Sequence, residues 1–248
     1  MLTQERHQYI LKALEDRKAV SVIDLTKELN TSESTIRRDL NALAKKGKLN
    51  KVHGGATYLE SQSRVTHEDQ VEIRKRIYST KKDTIGRYAA SLIEPEDFVY
   101  IDAGTTTASM VPYIEEKKAI YITNSMEIAL KLVHRGFTTY TIAGKIRRIT
   151  EAVVGSEAEK SIENFHFTKG FFGVNGISLE AGYSTPDIEE ARIKRLAMSK
   201  SYHAFVLADS SKFSVNSSVS FGSLESASII TDKLSDTVYK DATSIIVV

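Results

Sequence analysis

The residues of this sequence that could bind a ligand follow short apolar stretches beyond residue 95. Phe98–Ile101 runs into a loop of aspartate, glycine and three threonines at 102–107, and further polar loops or helix starts follow later stretches. Their hydroxyls, amides, carboxylates and ammonium groups together suit a polyhydroxylated anion. The candidate ligand-binding residues are Asp102, Gly104, Thr105, Thr106, Thr107, Asn124, Asn175, Gly176, Glu190, Lys194, Asp209 and Lys212.

Each of these residue types also has a common structural role in loops. Asn124 and Asn175 fit turn positions, Asp209 fits a helix cap, and Lys212 fits a surface charge. The informative feature is therefore the convergence of several loops, which depends on the fold that carries them.

The elements that must position these loops alternate between apolar strands and amphipathic helices from residue 75 onward. Repeated strand–helix units are typical of a mostly parallel sheet covered by helices, whose ligand crevice lies at the carboxyl ends of the strands. We expect a helix from Lys75 to about Ile93, with Ile77 inward, and another around Met110–Ile114. The threonine loop before the second helix could cap it or, through its backbone amides, bind an anion.

A second set of candidate residues lies near the N-terminus. Apolar spacing predicts three helices: one from Thr3, one after a Ser21 cap with Ile23, Leu25 and Leu29 inward, and one ending at Gly47. The alternating segment from Lys48, broken by a glycine pair, predicts a β-wing.

Two short helices joined by a tight turn form a helix-turn-helix, whose second helix reads the major groove of DNA. Small hydroxyl side chains allow close approach, guanidinium groups bind guanine edges or phosphates, and a basic wing contacts the backbone or minor groove. A helical bundle with a solvated charged surface is the alternative that composition allows. The candidate DNA-binding residues are Ser21, Ser32, Glu33, Ser34, Thr35, Arg37, Arg38, Lys51 and His53.

Charge separates these two regions, although the 248-residue chain carries a net charge of only +2. Residues 1–58 hold eleven basic and seven acidic side chains, a net charge of +4, and the remaining residues carry −2. A basic head on a slightly acidic body favours nucleic acid at one end.

The composition also excludes several classes of site. The absence of cysteine excludes disulfides, thiolate nucleophiles and cysteine-based metal centres, and the six histidines are scattered. We expect no metal, no cofactor and no catalytic residue. The sequence has neither a signal-peptide core nor an apolar run long enough to span a bilayer, so we expect a cytoplasmic protein without a membrane partner.

Motifs along almost the whole chain resemble the DeoR family of bacterial sugar-metabolism repressors. The head carries STIRRDLNAL followed by VHGGA, and the body carries IDAGTTT, ITNSMEIA, FFGVNGIS, GYSTPDIEEARIKRLAM and VLADSSKF. We predict an α/β protein with a winged helix-turn-helix at 1–57, a polar linker with little apolar periodicity at 58–74, and a larger sensor domain at 75–248. The resemblance implies that the sensor domain is similar in fold to ribose-5-phosphate isomerase.

The resemblance also implies the residues that line the sensor pocket. Among these, the threonine loop and Lys212 are expected to hold the phosphate of a sugar phosphate, and Asp102 its hydroxyls. The pocket residues it implies are Asp102, Gly104, Thr105, Thr106, Thr107, Gly176, Lys194 and Lys212.

The head looks most like fructose-operon repressors of Gram-positive bacteria, which implies a repressor released by fructose 1-phosphate. A lactose- or tagatose-pathway repressor that senses tagatose 6-phosphate is the alternative. The expected partners are double-stranded operator DNA, a phosphorylated sugar effector, and further copies of the chain in a dimer or tetramer, because a repeated site needs two heads.

An isomerase-like enzyme is the alternative from another class. Ribose-5-phosphate isomerases carry an Asp-Gly-Ala-Asp loop where this chain has Asn175 to Ser178, which supplies neither carboxylate. Glu190 alone could act as a base, but proton transfer between carbons also needs groups that polarise the oxygens.

Overall fold

The computed structural model describes residues 3–45, 49–52, 54–58, 74, 77–234 and 236–248. The chain divides into two compact units, residues 1–61 and 62–248, called here the head and the body. Most of the expected linker, Gly47, Lys48, His53 and the expected helix start at Lys75 lie outside the described residues.

The described residues of the head form three helices and a small antiparallel sheet. The sheet has the strand order β1-β3-β2, and Lys51 pairs with Ala56 across its hairpin. Its elements are α1 (Thr3–Arg17), β1 (Ala19–Ser21), α2 (Val22–Glu28), α3 (Glu33–Lys45), β2 (Asn50–Val52) and β3 (Gly55–Thr57).

Apolar residues at helical spacing form the core of the head. Ile10, Leu25, Ile36 and Leu40 are completely buried, as the period of 3.6 residues requires for one inward face. The expectation for Ile23 was wrong, because its side chain is 58% exposed and Val22 is buried instead. Helix α2 begins after the Ser21 cap as expected, and Val22, three residues before Leu25, lies on its inward face.

The body is built on a seven-stranded sheet whose paired strands all run parallel, with helices on both faces. Its elements are α4 (Ser79–Ser91), β4 (Phe98–Ile101), α5 (Thr105–Ala108), β5 (Ile120–Thr123), α6 (Met126–His134), β6 (Thr138–Thr141), β7 (Lys145–Ile146), β8 (Val153–Val154), α7 (Ser156–Glu163), β9 (Phe167–Gly173), β10 (Gly176–Ser178), β11 (Gly182–Thr185), α8 (Ile188–Ser199), β12 (Ser201–Leu207), β13 (Val219–Gly222), β14 (Ser228–Thr231) and β15 (Ile245–Val247).

The strand order β15-β14-β12-β9-β4-β5-β6 places a switch point between β4 and β9. The chain continues from β4 to β5 and β6 on one side, and from β9 to β12, β14 and β15 on the other. Loops at such a switch point diverge above the strand ends and leave a crevice. The α/β fold class expected from the alternation is confirmed, with a helix-turn-helix head.

Alternate residues of the central strands form two cores. Tyr100 and Phe172 face the core that contains the residues of α7 and α8, and Ile101 and Phe171 face the opposite core with α4 and α6. A period of two is what a sheet covered on both faces requires. Short pieces that the sequence analysis did not identify complete the body: the β7–β8 hairpin and the antiparallel sheet β10-β11-β13.

Two expected helices of the body differ from the structure. Ile77 precedes α4 and is 42% exposed rather than inward. The helix expected around Met110–Ile114 is instead the four-residue α5 followed by a 3-10 turn at Val111–Tyr113.

Candidate functional site

The ends of β4, β9 and β12 surround a cavity at the switch point of the body. It has a volume of about 230 Å³, roughly eight water molecules at about 30 Å³ each, enough for a small organic molecule. Eight of the expected ligand residues line it: Gly104, Thr105, Thr106, Asn175, Glu190, Lys194, Asp209 and Lys212.

The remaining four expected residues lie behind the cavity lining. Thr107 Oγ1 donates to the carbonyls of Asp102 and Gly104, at 2.6 and 2.9 Å. Asn124 Oδ1 accepts from the Ala103 amide at 2.7 Å, and Gly176 begins a buried strand. Thr107, Asn124 and Gly176 therefore shape the loops rather than line the cavity.

Asp102 lies beneath the lining and is paired with Lys194. Its Oδ2 accepts from the Lys194 ammonium and from the Gly173 amide, the latter at 2.9 Å. Burial raises the pKa of the Asp102 carboxyl, and Lys194 and the amide oppose that rise. The pair joins the end of β4 to α8 and fixes the lysine at the cavity.

Lys82 is a ligand-binding candidate that the sequence analysis missed. This residue of α4 is 7% exposed, lines the cavity, and donates to the Thr105 hydroxyl at 3.0 Å and the Arg74 carbonyl at 2.5 Å. Burial lowers the pKa of Lys82 to about 8, opposed by Asp209 and assisted by Lys212 and Arg74.

The close packing of α4 on the threonine loop explains how Lys82 reaches the cavity. A Cβ at Gly86 would lie 2.6 Å from the backbone of Ser109, so only glycine permits this approach. Ser109 Oγ also donates to the Lys82 carbonyl at 2.6 Å. The sequence does indicate that Lys82 is buried. It lies three residues before Ile85 and seven before Ala89, and these spacings place it on the same buried face of the helix.

Glu190 contributes a buried carboxylate to the cavity lining, and this carboxylate accepts hydrogen bonds from side chains outside the lining. Its Oε1 accepts from Arg147 Nη1 at 3.0 Å and from the Thr150 hydroxyl. Arg147 also pairs with Asp187, at 3.1 Å. A carboxylate held by a guanidinium is stabilised in its ionised form.

The charge of the cavity favours an anionic ligand. Its described lining carries four cationic side chains, Arg74, Lys82, Lys194 and Lys212, against the carboxylates of Glu190 and Asp209. Because α5 has only four residues, the lysines and threonine hydroxyls must supply most of the attraction that a longer helix dipole would provide.

A wider groove of the body, of about 970 Å³, differs in charge. Its described lining includes Arg195 with Glu180 and Glu225, and Arg195 donates to the Ser220 carbonyl at 2.6 Å. The switch-point cavity is therefore the better anion site of the two.

In the head, the N-terminal end of α3 presents polar groups to solvent. Ser32 Oγ accepts from the Thr35 amide at 3.3 Å and lies 2.9 Å from the Ser34 hydroxyl. Arg37 and Glu33 form an exposed ion pair at 3.1 Å, and Arg38 is exposed. These side chains form one accessible surface, as a recognition helix requires.

The other expected DNA contacts are distributed around α3. Lys51 is exposed on the wing strand β2. The Ser21 hydroxyl caps α2 by accepting from the Asp24 amide at 3.0 Å. His53 lies outside the described residues.

Asp39 holds α3 against α1 and was also missed by the sequence analysis. Its carboxylate accepts from Arg6 Nε at 2.5 Å and lies 3.0 Å from His7 Nε2. Burial acts to raise its pKa, but the hydrogen bonds from Arg6 and His7 outweigh it and hold the pKa below its usual value. Its spacing from Ile36 and Leu43, three and four residues, places it on the buried face of α3.

Comparisons with known proteins match both units. A family model of the DeoR C terminal sensor domain matches residues 77–233, and one of the DeoR-like helix-turn-helix domain matches residues 6–62. The resemblance inferred from the motifs is thereby confirmed. Among the described residues, no helix combines the length and apolar character that a bilayer span needs.

Two curated relatives cover nearly the whole chain. An uncharacterized HTH-type transcriptional regulator FruR of Bacillus subtilis is 39% identical over 93% of this chain and 91% of that protein. A lactose phosphotransferase system repressor of Staphylococcus epidermidis is 32% identical over 92% of this chain and 91% of that protein. Among solved structures, ribose 5-phosphate isomerase A of Methanocaldococcus jannaschii aligns over 53% of each chain, with a TM-score of 0.40 and 14% identity.

Proposed function

This chain belongs to the DeoR family of transcriptional regulators, and from that premise we propose that it represses a sugar-utilisation operon and leaves its operator when a phosphorylated sugar binds the switch-point cavity. The observation that carries the proposal is the excess of cationic side chains in this cavity, in a chain whose head exposes a helix-turn-helix. In this proposal the head binds the operator and the body binds the effector, so the two functions lie in separate units of one polypeptide.

Within the cavity, we assign the phosphate to Lys82, Lys212 and the hydroxyls of Thr105 and Thr106. All four residues line the cavity, and the Lys82 ammonium donates to the Thr105 hydroxyl at 3.0 Å. Ammonium and hydroxyl donors are the groups that bind phosphate oxygens. Asp102, expected to bind sugar hydroxyls, is engaged with Lys194 beneath the lining. The hydroxyls of the sugar are therefore assigned to Asn175 and Asp209.

Fructose 1-phosphate is the effector that we propose, and a fructose operon the target. The support is the likeness of the head to fructose-operon repressors and the 39% identity to a regulator named FruR. Tagatose 6-phosphate is the second candidate, favoured by the relative named a lactose phosphotransferase system repressor.

The state of Glu190 supports regulation rather than catalysis. The base of an isomerase must accept a proton from carbon, whereas the Glu190 carboxylate already accepts hydrogen bonds from Arg147 and Thr150. Asn175 and Ser178 supply no replacement carboxylate.

The proposed mechanism is thermodynamic linkage between the two units. In this mechanism, one conformation of the protein binds the operator and another does not. A sugar phosphate that binds more tightly to the second conformation increases its population and so weakens operator binding. Two heads must reach neighbouring half-sites together, so we propose that the chain acts as a dimer or tetramer.

The experiment that tests this function is operator release by a panel of phosphates. A labelled operator, selected from genomic fragments by the wild-type protein, is bound and titrated with fructose 1-phosphate, tagatose 6-phosphate, ribose 5-phosphate and inorganic phosphate. We expect fructose 1-phosphate to release the DNA at the lowest concentration. At 100 times its Kd, the ligand should also stabilise the protein by about 2.7 kcal/mol.

Three results would count against the proposal. Release by tagatose 6-phosphate alone would favour the second candidate. No response to any sugar phosphate, in either release or thermal stability, would overturn the sensor function. Conversion of ribose 5-phosphate to its ketose isomer, lost on Glu190→Gln, would establish the enzyme instead.

A further inference from the structure

We propose that Arg74 couples the switch-point cavity to operator binding: the phosphate of the effector attracts Arg74 to the cavity and so holds the end of the chain segment that leads to the head. The inference rests on the proposed function, since it concerns the regulation of the same site. It adds the residue through which an occupied cavity acts on the operator-binding unit.

Arg74 belongs to the linker by sequence and to the cavity by structure. It is the last residue of the linker expected at 58–74, so the chain before it leads to the head. It is also partly buried and lines the cavity. The other cations of the described lining, Lys82, Lys194 and Lys212, lie on α4, on α8 and after β12. Of the four, Arg74 is the one from which the chain leads directly to the head.

The main chain of Arg74 is bound to a group that we assign to the phosphate. Its carbonyl accepts from Lys82 Nζ at 2.5 Å, and the same ammonium donates to Thr105 Oγ1 at 3.0 Å. An ammonium has three N–H donors, so these two contacts leave one for a phosphate oxygen. A bound phosphate is then connected to the Arg74 carbonyl through a single ammonium group.

The charges around Lys82 make the position of the Arg74 side chain depend on the ligand. Burial is the largest cause of the lowered pKa of Lys82, and Asp209 opposes it. The charges of Lys212 and Arg74 lower the pKa of Lys82 further, because both are near enough to repel its ammonium. A phosphate between these groups replaces the repulsion by attraction. It also keeps Lys82 charged, and a charged donor forms the stronger hydrogen bond to the Arg74 carbonyl.

The turn at Tyr78 separates Arg74 from α4. Tyr78 directly precedes α4 and has a φ of +54°, a left-handed conformation that is uncommon for a residue other than glycine. Lys81 Nζ lies 5.0 Å from the centroid of the Tyr78 ring and 3.1 Å from Asp232. These contacts hold the start of α4 on the body. We therefore expect the response to the ligand to be confined to the chain before Tyr78.

The first experiment measures how fast trypsin cleaves the full-length wild-type protein after Arg74, with the products identified by mass spectrometry. Digestion is followed without ligand, with saturating fructose 1-phosphate, or tagatose 6-phosphate if only that ester binds, and with inorganic phosphate. Cleavage after Lys117, exposed in the turn before β5 and outside the cavity lining, is the internal control. We expect the sugar phosphate to slow cleavage after Arg74 by about fivefold or more relative to Lys117.

The second experiment measures a coupling factor, which is the Kd of the sugar phosphate for the operator-bound protein divided by its Kd for the free protein. The proteins are wild type, Arg74→Gln, Arg74→Lys and Lys212→Gln. Lys212→Gln is the matched control, because it removes one cation from the same lining but lies after β12.

We expect a factor of about five or more in wild type. Arg74→Gln should lower it to within about twofold of unity, and Arg74→Lys, which keeps the charge, should restore most of it. Lys212→Gln should weaken effector binding by about tenfold and leave the factor within about twofold of wild type.

The outcomes separate this inference from the proposed function. Binding of the sugar phosphate to wild type with unchanged cleavage after Arg74, or a wild-type factor in Arg74→Gln, would overturn the role of Arg74 and leave the sensor intact. Equal loss of coupling in Arg74→Gln and Lys212→Gln would also overturn it, because the charge of the cavity as a whole would then carry the coupling. No binding of either sugar phosphate to wild type would overturn both.

Discussion

The head and the body both depend on basic side chains, but they place them in opposite environments. Arg37 and Arg38 stand in solvent at the start of α3. Lys82 and Lys194 are nine-tenths buried at the end of the central strands, one with a lowered pKa and the other paired with Asp102.

This difference predicts different sensitivities for the two units. Exposed charges are screened by salt. Buried charges are shielded from salt but respond to desolvation and neighbouring charges, so that pH acts on them. Operator binding should therefore follow ionic strength, and effector binding should follow pH.

The largest expected effect is that of Lys82→Met on the response to effector. Removing an ammonium that contacts a buried phosphate should cost about 3 kcal/mol, or more than 100-fold in affinity. The melting temperature of the ligand-free protein should stay within a few degrees of wild type, because the loss of two hydrogen bonds is offset by relief of a desolvated charge. Calorimetry and thermal shift with fructose 1-phosphate measure both quantities.

Lys81→Met is the control for this variant. Lys81 is the adjacent residue of α4, and it pairs with Asp232 at 3.1 Å and Ser210 at 2.8 Å outside the cavity lining. It should leave effector affinity within about twofold of wild type. Equal losses in the two variants would show that α4, rather than the Lys82 ammonium, determines binding.

Asp39→Asn should act on the head alone. Breaking the buried contacts to Arg6 and His7 should cost about 3 kcal/mol, which corresponds to about 12 °C or more in a unit of this size. Because the folded-state pKa of Asp39 is lowered, its stabilisation is present above the pKa of an unfolded aspartate and is lost as pH falls below it. Scanning calorimetry of the full chain should show only one transition moved.

Asp16→Asn is the control for that measurement, since Asp16 is an exposed acid at the end of α1. Its effect should remain within about 0.5 kcal/mol. A fall in the transition of the body, or none in that of the head, would contradict the assignment of Asp39 as the link between α1 and α3.

The salt dependence of operator binding should identify the role of the exposed arginines. Arg37→Ala and Arg38→Ala should each cost about 1–3 kcal/mol if the side chain reads a base, or lower the salt slope by about 1 if it binds a phosphate. Anisotropy titrations at several salt concentrations distinguish the two. Lys12→Ala, on an exposed position of α1, is the control. An unchanged affinity and salt slope in both arginine variants would exclude α3 as the helix that contacts the operator.

The smallest expected effect is that of pH on the effector. With the pKa of Lys82 near 8, its charged fraction falls about tenfold between pH 7 and 9, and the Kd for fructose 1-phosphate should rise correspondingly. While the affinity falls, the stability of the ligand-free body should increase with pH above 8, since the unfolded chain then holds more protons. A flat Kd across this range would exclude the Lys82 ammonium from the phosphate site.

The sequence predicted the loops of the site better than the supports around them. Asp209 and Lys212 follow an apolar stretch, and a parallel sheet brings all such positions to one edge. Asp102 and Thr107 follow the same rule, but whether a loop residue lines a cavity or lies behind it depends on loop conformation. That conformation is determined by contacts distant in sequence, such as that of Asp102 with Lys194.

Lys82 and Asp39 were missed for a different reason. A charged residue among apolar helix positions is easily assigned to the solvated face, although their spacing from Ile85 and Ile36 indicates the buried face. Short elements such as the β7–β8 hairpin were missed because two residues show no periodicity. Ile23 was wrongly placed on the inward face although the spacing was informative: Val22 lies three residues before the buried Leu25 and shares its face, whereas Ile23 lies only two residues before it.

The measurement that tests the coupling of reader and sensor most directly is the affinity of fructose 1-phosphate for the protein alone and for the protein bound to its operator. Linkage requires that operator DNA weaken effector binding by the same factor by which the effector weakens operator binding. We predict a lower effector affinity in the DNA complex, with matching factors. Equal effector affinities with and without operator would contradict the account.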